Sequence, residues 1–472
     1  MANSYPDRMS WNLIEPVTPD WQLHTLETYL DDTRSREKNT NTKSFENHHF
    51  LPRNLLIWGD CLYVLGALQK QFKGKIQLIY IDPPFYAGAN EIIDVPIGIA
   101  GKSGRKGKIV QKPVTTIQDV AYENIWQGSN PQSFCQWFYD RIRLMYPLLK
   151  QSGFLVVRFD YHYGHYAKVV LDEVFSESNF LVEFLVRRMK KAVSKKNIQN
   201  QTHLIVQTDS LFAYRRSSKS ECYCTPQKTC RKNADPIEHR YSLDNIWLDI
   251  CGYEKTKKTL YPTENSIKLL KRVINLYSKE GDIVADFFAG SGTTVAVAQE
   301  LDRKWIGVDI SHYSINEMRK RLLVISENNP KSFQLLRIGP EKSPQSDSKC
   351  NFDNIARLEL EKEIDPIRRE IRLELKKYHP KSHHDKFEEL ISDFESIDFI
   401  DFWAVDWTFK DQDLFCPDFY SFRRIGPGRK IIEGITSEAC HRYENPGKYT
   451  IAVRALDILG NPATEILEVA FI

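Results

Sequence analysis

The sequence predicts an α/β fold built on an open, largely parallel sheet. Three observations carry that prediction. The apolar run Ile76 to Ile81 reads as a short, fully buried strand, and it stops abruptly at Asp82-Pro83-Pro84. A second strand, Asp282 to Asp286, also ends in an acid and runs through a glycine turn (Gly290, Gly292) into a helix beginning near Thr294. Between and around them, apolar strands alternate with amphipathic helices.

The first strand end holds the sharpest chemistry. Two prolines cannot continue a ladder and fix a rigid turn, and Phe85 follows at once. A carboxylate, a stiff backbone carbonyl and a ring face at the carboxyl end of a strand suit a flat molecule bearing an amine. That edge of an open sheet is where ligands bind. The exocyclic amine of a nucleobase is a poor nucleophile because its lone pair is delocalised into the ring. Asp82 and the Pro83 carbonyl could each accept one of its protons while charge develops on the nitrogen. Phe85 could stack on a base taken out of the duplex. An ordinary strand-to-loop turn with a buried acid is the competing reading of the tetrapeptide alone.

The 472 residues exceed one typical domain, so two or three are expected. A composition 42% hydrophobic and 27% charged is that of an ordinary globular protein. A formal charge of only +3 excludes a global field for nucleic acid, so such contacts must come from local patches. Met1 to Thr18 lack a secretory signal pattern, and no apolar run approaches the roughly 20 residues of a membrane helix. Nine irregularly spaced cysteines fit a reducing, cytoplasmic setting.

In chain order, residues 1–50 read as an N-terminal arm. Asn54 to Trp58 is a strand ending in Gly59-Asp60, with an amphipathic helix carrying Leu62, Leu65 and Leu68. Asp60 could receive a cofactor's adenine amine or simply cap the helix. Tyr86 to Pro131 is irregular, with a basic glycine-rich loop at 101–108 whose Lys102 and Arg105 are candidates for DNA phosphates. Ser133 to Leu149 predicts a helix, Gly153 to Asp160 a strand, Tyr166 to Phe175 a helix, and Phe180 to Val186 and Leu204 to Tyr214 two more strands. Lys190, Lys191, Lys195 and Lys196 form a basic loop between those strands, a second phosphate candidate. Cys222, Cys224, Cys230, His239 and Cys251 match no standard metal-ligand spacing, so no metal is expected. Asn265 to Tyr277 is a helix with one apolar face.

The glycine turn then permits close backbone approach to a ligand at a helix start. It lacks the lysine of a phosphate loop. The next strand, from Lys304, ends in Asp309, about 20 residues beyond Asp286, where such folds bind ribose hydroxyls. An adenosine-containing cofactor is the expectation.

These pieces occur in one order: Gly59-Asp60, Asp82-Pro83-Pro84-Phe85, Tyr122 to Trp126, Gly164-His165-Tyr166 with Asp172 to Phe175, and Phe288-Ala289-Gly290-Ser291-Gly292-Thr293. Over residues 50–330 the chain resembles the beta-ordered DNA amino-methyltransferases of bacteria, including type III modification subunits. The resemblance implies a Rossmann-like, S-adenosylmethionine-dependent methyltransferase sheet over 51–338, with a target-recognition insert at about 187–260. It further implies that Asp82 to Phe85 grip the target base. Asp60, Thr263, Asp286, Phe288, Gly290, Ser291, Gly292, Thr293 and Asp309 would hold the cofactor, Asp309 at its ribose. Asp before Pro-Pro resembles adenine-N6 enzymes; cytosine-N4 methylation and a nucleic-acid-binding subunit with vestigial activity are the alternatives, with RNA as another substrate. The implied setting is bacterial restriction–modification, on double-stranded DNA with a flipped base. A nuclease or helicase partner and a homodimer on a palindromic target would both suit it. The family's Pro-Thr-Gln-Lys-Pro segment appears here as Pro262-Thr263-Glu264-Asn265, without Lys-Pro, and Asn-Thr-Gly after the tetrapeptide as Tyr86-Ala87-Gly88.

Beyond it, 339–349 reads as a linker and 350–396 as a helical segment, with a charged helix Leu358 to Leu375 and a second around Phe387 to Phe394. Residues 397–472 read as a small β-sandwich-like, immunoglobulin-like module.

Overall fold

The computed structural model describes residues 21–29, 54–84, 91–97, 115–122, 131–188, 206–223, 244–253, 264–327, 330–340, 356–380, 396–410, 414–426 and 430–472. In chain order the elements are β1 (Trp21–Tyr29), β2 (Asn54–Trp58), α1 (Cys61–Phe72), β3 (Ile76–Ile81), β4 (Glu91–Ile97), β5 (Thr115–Tyr122), α2 (Pro131–Met145), β6 (Leu149–Phe159), α3 (Gly164–Phe175), β7 (Phe180–Arg187), β8 (Thr208–Arg215) and β9 (Ile246–Cys251). There follow α4 (Ile267–Tyr277), β10 (Ile283–Asp286), α5 (Thr293–Glu300), β11 (Lys304–Asp309), α6 (His312–Ser326) and β12 (Phe333–Pro340).

Ten of these strands form one sheet in the order β1-β12-β2-β11-β10-β3-β6-β8-β7-β9. The stretch from β12 to β6 is parallel, and β1 and β8 run antiparallel to it. Side-chain alternation builds a core on each face. Leu78 and Tyr80 of β3 enter one core with α4, α5 and α6, while Ile79 and Ile81 enter the other with α1, α2 and α3. Both faces are covered, which is why β3 is uniformly apolar outside Gln77. From β10 the chain winds through α5 to β11 on one side. From β3 it passes through α2 to β6 on the other. A crevice therefore opens between the carboxyl ends of β10 and β3, the switch point of an open sheet.

Several expectations need correction. The N-terminal arm, expected over 1–50, contributes β1, which pairs with β12 at the sheet edge. The irregular stretch 86–131 contains the antiparallel pair β4 and β5. The insert expected at 187–260 adds β8 and β9 to the main sheet. Helix α2 stops at Met145 instead of reaching Leu149, because Pro147 turns Tyr146–Leu148 into a 3₁₀ turn.

The expected helical segment over 350–396 is overturned at Leu358 to Leu375, which forms a hairpin of β13 (Ala356–Asp365) and β14 (Glu370–Pro380). Leu358, Ile371, Leu373 and Leu375 point inward at the period of a strand, and Asp365 accepts the amides of Ile367 and Arg368 to make the turn. The second helix, around Phe387 to Phe394, lies outside the described residues.

The rest of the chain comprises β15 (Ile400–Phe409), β16 (Phe419–Phe422), β17 (Arg424–Gly426), β18 (Lys430–Glu433), β19 (Glu438–Arg442), β20 (Gly447–Asp457) and β21 (Pro462–Phe471). Sheets β16-β15-β20-β21 and β13-β14-β19 make a sandwich, Trp403, Trp407, Ile451 and Val453 facing Ile371 and Leu373 across it. The opposite face of β15, with Phe402 and Ala404, belongs to the same core as Met318 of α6. The sandwich is thus packed onto the ten-stranded sheet's helical layer. Buried charges pin that junction: Glu27 of β1 lies 3.0 Å from Arg319 of α6 and 2.6 Å from Arg454 of β20.

Candidate active site

Asp82 leaves the sheet one residue past β3. The pairing of Ile81 with Val157 sets it beside Arg158 of β6. Arg158 is wholly buried, directly after the apolar run Phe154 to Val157 of β6. Its Nε and Nη2 donate to Asp209 Oδ2 of β8 at 3.2 and 2.5 Å, and its Nη1 donates to the Gly252 carbonyl at 3.0 Å and to Asn265 Oδ1 at 2.5 Å. The Tyr253 ring covers the guanidinium at 4.0 Å. Asn265 Nδ2 donates in turn to Asp82 Oδ2 at 3.1 Å, and Arg158 Nη1 stands 3.8 Å from that oxygen. The other carboxylate oxygen, Asp82 Oδ1, is buried and has no hydrogen-bond partner among the described residues. The same holds for the neighbouring Tyr80 hydroxyl.

Burial pushes the Asp82 carboxyl up to about 6, against the pull of Arg158 and the Asn265 hydrogen bond and with a further push from Asp209. An acceptor role needs the ionised form, because a protonated carboxyl donates where it should accept. The charge is present above pH about 6 and lost below it. Activity that depends on Asp82 is expected to have an acidic limb near that value, read from kcat against pH.

The glycine turn after β10 is held by two carboxylates. Asp286 accepts the Phe288 amide at 3.0 Å and the Thr294 hydroxyl at 2.5 Å, and burial pushes it up to about 7. Asp309 accepts the amides of Gly290 at 2.8 Å and Ser311 at 2.9 Å. The Ser314 hydroxyl and the Ile310 amide also bear on this carboxylate, which burial pushes above its ordinary pKa. Gly290 and Gly292 have φ of 52° and 75°, in the left-handed region. Helix α5 starts from Gly292 with no side-chain cap, which leaves acceptors for its first amides to a ligand. Ser291 and Thr293 bond to each other through their hydroxyls at 3.1 Å. A Cβ on Gly292 would stand 2.3 Å from Met318 Cγ. Gly292→Ala is therefore expected to destabilise the fold by about 1–3 kcal/mol, checked by thermal unfolding.

Asp60 caps α1 through the Leu62 amide at 2.8 Å and pairs with Arg141 of α2 at 3.0 Å. The plain capping reading of this residue is thus what its side chain does, although it stays 32% exposed. Arg141 lies 4.1 Å over the Trp137 ring, and Trp137 meets Phe288 at 5.6 Å. A continuous wall thus joins the glycine turn to Asp60. The structure brings Asp60, Asp82, Pro83, Pro84, Asp286, Phe288 to Thr293 and Asp309 to one sheet edge. Phe85, Thr263, Lys102, Arg105, Lys190, Lys191, Lys195 and Lys196 lie outside the described residues. Sequence reading missed Arg158, Asp209 and Asn265, though an arginine inside a buried apolar strand was a visible signal.

A family model described as DNA methylase matches residues 76–320. The type II methyltransferase M2.LlaDCHI of Lactococcus lactis subsp. cremoris is 42% identical over 269 residues, covering 57% of this chain and 88% of that protein. The type II methyltransferase M.BamHI of Bacillus amyloliquefaciens is 26% identical over 276 residues, and the chain spans only 55% of its length. Among solved structures, the M1.HpyAVI–SAM complex is 17% identical with a TM-score of 0.36, covering 57% of this chain and 98% of that one.

Proposed function

The chain belongs to the family of adenine-N6 and cytosine-N4 DNA methylases, and on that premise we propose that it transfers a methyl group from S-adenosylmethionine to the N6 amine of adenine in DNA. The observation that carries the reading is the open acceptor at the end of β3, Asp82 Oδ1, on a rigid Pro-Pro turn across a crevice from a glycine turn.

S-adenosylmethionine, when bound, supplies a methyl group on a positively charged sulfur. The residues of the chain do the rest. Asp82 Oδ1 and the Pro83 carbonyl accept the two protons of the amine, which holds its lone pair toward the methyl and stabilises the charge that develops on nitrogen. Pro84 keeps that turn stiff, and Phe85 stacks on the flipped base. No strong base is required, since the amine's proton leaves after transfer. Asp286 and Asp309 hold the turn of Phe288, Gly290, Ser291, Gly292 and Thr293, which would line the methionine side of the cofactor. Asp309 would hold the ribose and Asp60 the adenine amine, with Thr263 a further cofactor-binding candidate from the resemblance. Lys102, Arg105, Lys190, Lys191, Lys195 and Lys196 contact phosphates in this reading, within a restriction–modification or related system.

Adenine is favoured over cytosine because an acid precedes Pro-Pro. The test is digestion of treated, initially unmethylated DNA to nucleosides. N6-methyladenine is the expected product; N4-methylcytosine in its place would move the target to cytosine and refute the adenine assignment.

A further inference from the structure

We propose that Asn265, locked by Arg158 and Asp209, is a positioning residue that selects which oxygen of Asp82 is offered to the target amine. The inference rests on the methyltransferase reading and goes beyond it to name how the acceptor is set. An arginine can only donate, so its bond to Asn265 Oδ1 fixes the amide's orientation and forces Nδ2 to face Asp82. That bond occupies Asp82 Oδ2 and leaves Oδ1 as the free acceptor. The relay is rigid along its length. Asp209 anchors two nitrogens of Arg158, the Gly252 carbonyl takes a third contact, and the Tyr253 ring closes the face. Gly252 has to be glycine here, since a Cβ would stand 2.4 Å from Arg158 Nη2. The segment carrying Asn265 bridges Tyr253, and Ser266 donates to the Gly252 carbonyl at 3.0 Å. A segment expected from the resemblance to bear on the cofactor thus bears on the catalytic acid. Asn265 stands in the place of the Lys of the family's segment, and it contributes a neutral donor there.

The titratable and charged groups facing Asp82 are Tyr80, Arg158, Arg188, Asp209, Tyr253 and Asp286. Removing the Asn265 donor raises the pKa of Asp82, whereas removing the Asp209 charge lowers it, because Arg158 then acts on Asp82 unopposed. The two changes therefore move the acidic limb of methyl transfer in opposite directions, which a purely structural role would not do.

The experiment is kcat against pH for methyl transfer to unmethylated DNA by the unaltered chain, Asn265→Leu and Asp209→Asn, with S-adenosylmethionine binding measured alongside. Asn265→Leu is expected to lose about tenfold or more in kcat near neutral pH, with its acidic limb displaced upward by about one pH unit and cofactor affinity kept. Asp209→Asn keeps a hydrogen-bond acceptor for Arg158, and its limb is expected at lower pH than that of the unaltered chain. Limbs that coincide, or that move the same way, overturn the positioning role while leaving the methyltransferase reading in place. Absence of transfer by the unaltered chain at every pH overturns that reading, and the role falls with it.

Discussion

Asp82→Ala is expected to lower kcat for methyl transfer by about 10²–10³-fold or more, while the affinity for S-adenosylmethionine stays close to that of the unaltered chain. The size follows from what is lost. Asp82 Oδ1 is the open acceptor at the end of β3, and the groups that face the other oxygen, Asn265 Nδ2 and Arg158 Nη1, are donors and cannot take its place. Alanine would leave those donors facing a neutral amine that needs acceptors. Affinity for the cofactor should survive because the glycine turn is folded by Asp286 and Asp309 through bonds that do not involve Asp82. Asp82→Asn should also be impaired, although the shape is kept, because it removes the charge that stabilises the developing positive nitrogen. Stopped-flow or steady-state methyl transfer, with calorimetry for binding, separates the two effects.

Glu27→Ala is expected to destabilise the protein by about 3–5 kcal/mol, read from the midpoint of urea unfolding. Burial alone would push the Glu27 carboxyl up, yet Arg319 and Arg454 together hold it below the usual carboxylate range. All three side chains are almost fully buried. Removing the acid would leave two guanidinium groups out of water with no counter-charge, and the Tyr29 hydroxyl, which also donates to Glu27, would lose its acceptor. Because the three charged residues sit on β1, α6 and β20, the same change loosens the sandwich from the sheet. An unfolding midpoint within experimental scatter of the unaltered chain would mean that apolar packing of Phe402 and Ala404 alone holds the junction.

The parts legible in the sequence are those whose cause is local. β3 is a continuous buried run, so its position and the turn at Asp82 follow from the residues themselves. The glycine turn is equally local, with Asp286, Gly290 and Gly292 within a few positions of one another. The hairpin of β13 and β14 was hidden because Leu, Glu and Lys favour helices as isolated residues. Only the sandwich, by burying Leu358, Ile371, Leu373 and Leu375 against β15 and β20, makes the strand period win. Strand β1 likewise exists because β12, some 300 residues on, offers it an edge, Leu23 facing Ile338. The relay behind Asp82 was hidden for the same reason. Arg158 finds Asp209 51 positions away and Asn265 107 positions away, and no spacing rule joins them.

The central claim is that the open oxygen of Asp82 presents a DNA base amine to a methyl donor. The most direct test incubates unmethylated double-stranded DNA with labelled S-adenosylmethionine and either the unaltered chain or Asp82→Ala. The account predicts label in the DNA with the unaltered chain and none above background with the variant, at equal cofactor binding. Label incorporated equally by both would contradict it, as would cofactor bound without transfer to DNA by either.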